Sequence, residues 1–154
     1  MPGAYCNLLY HFVFSTKERR PLIASAIKPR LREYIRGILK EHEGELLELD
    51  GVADHVHLLV RLHPARAVAD ALRMIKANSS KWMNETAGHE PRFAWQEGYA
   101  AFTVSQSQVP RLLTYVRGQE KHHRRVDFRS ELVALLRRNR IAVRRALPVV
   151  KVAR

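Results

Sequence analysis

His55 and His57 stand one residue apart in the run Asp54-His55-Val56-His57-Leu58-Leu59-Val60. Side chains alternate along a strand, so the two imidazoles share one face, roughly 7 Å apart at the backbone, while Val56, Leu58 and Val60 take the other. The apolar set can enter a core and leave the imidazoles together. Imidazole is the commonest protein metal ligand, and two at this spacing can converge on one ion. The alternative is a pair of histidines on a solvated strand face.

A second group lies downstream, in Gln108-Val109-Pro110-Arg111-Leu112-Leu113-Thr114-Tyr115-Val116-Arg117-Gly118-Gln119. Val109, Leu112, Leu113 and Val116 repeat as i, i+3, i+4, i+7, the pattern of an amphipathic helix. Pro110 suits its first turn, where a missing N–H is harmless. Tyr115 sits about 60° of helix rotation from Leu112, at the edge of the apolar stripe, and Gln119 follows one turn on. Taken alone, Tyr115 reads as an edge packing residue; beside the histidine pair it reads as a nucleophile.

The elements that must position these residues follow from periodicity. Ala4 to Thr16 predicts a strand, with Cys6, Leu8, Tyr10, Phe12 and Phe14 on one face and His11 on the other. After the charged loop Lys17 to Pro21, a helix runs to about Glu41 on the stripe Ile27, Leu31, Tyr34, Ile35, Ile38 and Leu39. Arg30, Arg32, Arg36 and Lys40 read as its solvated side. Glu45 to Val52 predicts a second strand, turning near Asp50-Gly51 into the histidine strand. A helix from Ala67 to about Glu85, a polar break from Thr86 to Pro91 and a strand from Tyr99 to Ser105 come next. The tyrosine helix, a basic turn Lys121-His122-His123-Arg124-Arg125 and a last helix capped by Ser130 complete the order. The succession β-α-β-β-α-β plus two helices predicts an α+β, ferredoxin-like antiparallel sheet with helices on one face and the other face free. One domain spans 1–154, and its basic tail over 140–154 is read as a partner strand or a disordered end.

Composition narrows the partners. The 154 residues carry a formal net charge of +12, split as nine Lys/Arg against eight Asp/Glu up to His63 and eighteen against seven from Pro64 onward. A basic half on a folded domain is the footprint of a polyanion partner. No apolar run approaches the ~20 residues of a membrane span, and no signal-peptide pattern opens the chain. Cys6 is the only cysteine, which excludes an internal disulfide. Cytoplasm is the expected compartment.

Several chemistries that use two histidines are excluded by spacing. Position 59 is leucine, so the third histidine of a histidine-triad hydrolase is missing. The paired His-x-Thr/Ser motifs of two-histidine phosphoesterases are absent, and the strand spacing is wrong for a helical zinc-protease pair. No Walker-type loop implies a nucleotide cofactor. What remains is His-hydrophobic-His plus a helical tyrosine with glutamine four residues on. Together with Tyr10-His11-Phe12-Val13-Phe14-Ser15-Thr16-Lys17 and Tyr115-Val116-Arg117-Gly118-Gln119-Glu120-Lys121-His122-His123, the chain resembles the single-tyrosine HUH transposases of the 200/605 group of insertion sequences.

That resemblance implies a DNA transposase in which His55, His57 and Gln119 hold one divalent cation, magnesium or manganese. Tyr115 would attack the scissile phosphate of single-stranded DNA, giving a 5′-phosphotyrosine and a free 3′-hydroxyl. It also implies a homodimer in which one subunit's tyrosine serves the other's histidines, and recognition of a DNA hairpin near each element end. Lys76, Lys81, Arg111, Arg117, Lys121, Arg124 and Arg125 are the candidates for DNA contact. His122 and His123 read as exposed turn histidines, with phosphate or metal contact as the alternative; Asp54 is a turn residue or a partner that orients a histidine. Gly118 sits oddly inside a helix and suggests a helix that can shift. The alternatives are a single-copy relative acting on chromosomal repeat hairpins, and a non-catalytic nucleic-acid-binding module, which would leave His55, His57, Tyr115 and Gln119 unexplained.

Overall fold

A computed structural model describes residues 4–87 and 92–143 of the chain. The tail over 144–154 lies outside the described residues, so the expectation for it is left there. Four strands, Leu8–Ser15 (β1), Glu45–Val52 (β2), His55–Leu62 (β3) and Ala100–Val104 (β4), form one antiparallel sheet in the order β2-β3-β1-β4. Five α-helices, Lys28–Glu41 (α1), Val68–Ala87 (α2), Val109–Arg117 (α3), Gln119–His122 (α4) and Phe128–Arg138 (α5), are described. This is the expected ferredoxin-like arrangement.

Alternation sorts the sheet into two faces. Phe12, Phe14, Val56, Leu58 and Val60 point into a core closed by α1 and α2, with Leu31, Ile35, Leu72, Ile75 and Met83 buried against them. The other face is not free, contrary to expectation. Val13, Ala100 and Phe102 are covered by Phe128, Leu132, Leu135 and Leu136 of α5, and Leu9 and Leu59 by Val109 of α3. Burying such side chains stabilises by about 1.5–3 kcal/mol each. That gain fixes α5 on the histidine face and makes the sheet the middle of three layers.

The turn between β2 and β3 falls at Ala53-Asp54, beyond the expected Asp50-Gly51. Gly51 stays in the strand because a Cβ there would stand 2.2 Å from the His55 carbonyl oxygen, so only glycine lets β3 approach so closely. The outer edge of β2 is also blocked. Lys28 Nζ donates to Gly51 O at 3.1 Å, Arg32 Nε to Leu49 O at 2.9 Å and Arg36 Nη1 to Leu46 O at 2.8 Å. Spaced four residues apart on α1, these cations fall one above another and satisfy carbonyls that an edge strand would expose. Arg32 and Arg36 are therefore not simply a solvated helix side.

The boundaries shift in two places that matter for the site. Gly118 is not inside a helix: it ends α3, its N–H bonding Thr114 O and Tyr115 O at 3.2 Å each, and α4 begins at Gln119. The last helix begins at Phe128, capped by Asp127, whose carboxylate accepts from Ser130 N at 2.7 Å. The expected cap, Ser130, is already within the first turn.

Candidate active site

His55 opens β3 and His57 follows on the same face, both fully buried. The register pairs Val13 with His57 and Leu59 with His11, which brings His11 diagonally beside His57. His11 Nε2 and His57 Nδ1 share a hydrogen bond of 2.8 Å. Burial, then the neighbouring His57, lowers the His11 pKa to about 3. His11 is thus neutral at ordinary pH, with one N–H and one lone pair, and can meet His57 as donor or acceptor. His55 is oriented from the turn, its Nδ1 2.8 Å from Asp54 Oδ1. Asp54 is thus both the turn residue and the histidine's partner. Both imidazoles are left with Nε2 aimed at one point between the sheet and the last three helices.

Tyr115, Gln119, His123 and Glu131 reach the same point from α3, α4, the turn after it and α5. Gln119 Oε1 lies 3.2 Å from His55 Nε2 and 3.0 Å from His123 Nε2. Glu131 Oε1 accepts at 3.0 Å from His57 Nε2 and at 3.0 Å from His123 Nε2, and stands 3.4 Å from His55 Nε2. Its other oxygen accepts from the Tyr115 hydroxyl and lies 3.3 Å from His122 Nε2. The Tyr115 ring meets His57 edge-on at 5.5 Å between centroids, within one chain.

Electrostatics follow from this packing. Burial opposes the Glu131 charge, yet hydrogen bonds from His123, His55 and His57 outweigh it and hold the carboxyl well below the usual range. Burial lowers the His57 pKa despite Glu131, whereas for His55 the bonds to Asp54 and Glu131 overcome burial and raise it. Burial, reinforced by Glu131, pushes the Tyr115 phenol well above its ordinary value.

His55, His57, His123 and Glu131 offer ligand atoms within 4.8 Å of one another. Three imidazole nitrogens and a carboxylate oxygen are a donor set that suits a divalent cation of the manganese-to-zinc series, so the residues fit a metal site, with Gln119 Oε1 alongside.

All four sequence candidates, His55, His57, Tyr115 and Gln119, meet here. His123, expected as an exposed turn histidine, is instead drawn in, with a side chain 9% exposed; His122 keeps 33%. Glu131 and His11 escaped the sequence reading. Glu131 did carry a signal: it occupies the i+3 position from Phe128 in the buried stripe Phe128, Leu132, Leu135, where a carboxylate is out of place. The basic candidates are not brought together. Arg111, Arg117 and Lys121 belong to the helices on the histidine face and Arg124 and Arg125 to the turn after α4, whereas Lys76 and Lys81 lie on α2, across the sheet. Lys76 Nζ is tied to Glu97 O at 3.2 Å and Gly98 O at 2.9 Å, and burial lowers its pKa to about 8. Arg117 Nε pairs with Glu48 Oε2 at 2.7 Å.

The fold and the site define an antiparallel α+β domain of ferredoxin-like topology whose inner strand carries His-x-His beneath a tyrosine-bearing helix. The family model described as "Transposase IS200 like" matches residues 4–119, and the chain belongs to that family. It is similar to the ISDra2 transposase TnpA of Deinococcus radiodurans, 24% identical over 122 residues that cover 76% of this chain and 87% of that protein. It also resembles the transposase of insertion sequence IS200 from Salmonella typhimurium, 26% identical over 118 residues, 73% of this chain and 77% of that one. Among solved structures, a Deinococcus radiodurans R1 protein assigned as a transposase superposes with a TM-score of 0.63 at 24% identity, over 77% of this chain and 95% of its own. A REP-associated tyrosine transposase bound to a REP hairpin gives 0.58 at 15% identity, over 80% and 73%. These two likenesses establish the shared fold.

Proposed function

We propose that this transposase cleaves and rejoins single-stranded DNA through Tyr115. The observation that carries the proposal is the hydrogen bond that holds the Tyr115 hydroxyl to Glu131, the carboxylate that also contacts the His55 and His57 imidazoles. A divalent cation, magnesium or manganese by family resemblance, held by His55, His57 and Gln119, would polarise the scissile phosphate as a Lewis acid. Tyr115 Oη forms the new bond to phosphorus while the bond from phosphorus to the 3′ oxygen breaks, leaving a 5′-phosphotyrosine and a 3′-hydroxyl. A free phenol titrates near ~10, and burial raises this one further. Glu131 Oε2 holds the hydroxyl in place, and the cation or a bound water would help to remove its proton as the departing 3′ oxygen takes one up. Rejoining reverses the step, with a 3′-hydroxyl displacing the phenol, so no nucleotide cofactor is required.

The DNA partner proposed, by family resemblance, is a single strand with a hairpin near each element end; the structurally similar REP-associated tyrosine transposase is bound to a REP hairpin. The family resemblance implies a homodimer with composite sites. In this chain, however, Tyr115 reaches the histidines of its own chain, and we take the site to operate in cis. The described helices include none long and apolar enough to cross a membrane.

Labelled single strands from the gene's own flanks, incubated with the protein and manganese or magnesium, test the proposal on a denaturing gel. Label should move to protein size with the wild type and not with Tyr115→Phe, which should still bind the hairpin. Persistent cleavage by Tyr115→Phe would place the nucleophile elsewhere.

A further inference from the structure

We infer that Glu131 is the anionic ligand of the cation site, binding through Oε1 while Oε2 holds the Tyr115 hydroxyl beside the ion. The inference rests on the cation site proposed above and adds to it a residue of α5, beyond the segment that the family model matches.

His55, His57 and Gln119 are two imidazoles and an amide, all neutral donors. A dication taken into a buried cluster with neutral ligands alone keeps its full charge in a poorly hydrated place, and hard cations such as magnesium and manganese favour carboxylate oxygen. Glu131 is the carboxylate that stands there, 3% exposed. Its Oε1 lies 3.0, 3.0 and 3.4 Å from the Nε2 atoms of His57, His123 and His55. Ligands bind such ions at about 2.0–2.2 Å, so donor atoms around one ion stand roughly 3.0–3.5 Å apart. The three distances from Oε1 fall in that range, and the four ligand atoms together lie within 4.8 Å of one another.

The outer nitrogens agree. His55 Nδ1 is held by Asp54 and His57 Nδ1 by His11, each at 2.8 Å, as for imidazoles whose other nitrogen binds a metal. A carboxylate serving only as counter-ion to buried histidines would need one oxygen near them. Glu131 instead turns its second oxygen to the nucleophile, which makes it a ligand and a positioning residue at once.

Manganese titration followed by electron paramagnetic resonance reads the site without DNA or turnover. Glu131→Gln, equal in shape but uncharged, should bind manganese at least about tenfold more weakly, and manganese should raise its melting temperature less than that of the wild type. Tyr115→Phe should bind the ion normally, and His57→Ala should lose it. Wild-type affinity in Glu131→Gln beside lost binding in His57→Ala would overturn the ligand role and leave the cation site standing. Wild-type affinity in both would remove the cation from this cluster altogether. Should Glu131→Gln lose its fold, Glu131→Met, similar in length and without an oxygen donor, carries the same two outcomes.

Discussion

His11 sits behind the proposed cation site, bonded to His57 and outside the set of ligand atoms. Its hydrogen bond to His57 Nδ1 fixes which way the His57 ring faces, and partners of this kind typically alter metal affinity 10- to 100-fold (about 1–3 kcal/mol). His11→Phe keeps the ring and loses the bond, so manganese affinity should fall within that range, as calorimetric titration would read. The same substitution should change the acid response of the fold. Folded His11 resists protonation down to about pH 3, whereas an unfolded histidine takes a proton near ~6.5. Between those values the unfolded state binds more protons, so this residue makes stability fall as pH falls, by up to about 1.4 kcal/mol per unit. Urea unfolding at pH 7 and pH 5 should show a smaller loss in His11→Phe. The sequence made His55, His57, Tyr115 and Gln119 legible because each pair is close along the chain and keeps one secondary-structure period. His11 and Glu131 meet His57 across 46 and 74 positions of sequence, a distance that no local period encodes.

Among the elements, α5 has the largest effect on the site, since it carries Glu131 and closes the face expected to be open. Its start is set by the Asp127 carboxylate on Ser130 N, and such caps are worth about 1 kcal/mol. Asp127→Ala should lower unfolding free energy by about that amount and Asp127→Asn hardly at all, measured by urea denaturation. Strands and helices were legible from their apolar periods, with ends displaced by a few residues. The second covering layer was not, because its contacts join short stripes on α3 and α5 to strand positions that read equally well as solvated. Val13 and Leu9 are examples: both are buried, yet their partners lie some hundred residues away. The cap was misplaced for a related reason, since Asp127 and Ser130 are both good capping types and only the fold shows which one stands outside the helix.

For the molecule as a whole, the question is how many chains make one site. α3 lies against β2 and β3 of its own sheet, with Val109 and Val116 buried, and α5 is anchored beside it through Phe128 and Leu132. Handing Tyr115 to a second subunit would mean lifting α3 from that contact. Mixing His57→Ala with Tyr115→Phe should therefore leave strand cleavage absent on a denaturing gel; restored cleavage would show that tyrosine and histidines pair between subunits. The cations turned against β2 bear on DNA binding as well. Lys28, Arg32 and Arg36 fasten α1 to strand carbonyls, Lys76 holds the loop before β4, and Arg117 grips Glu48. Counterion release on binding a polyanion counts only cations that reach phosphate. The +12 of the sequence is thus partly an internal rivet, and the valence that DNA meets is smaller than the formal sum.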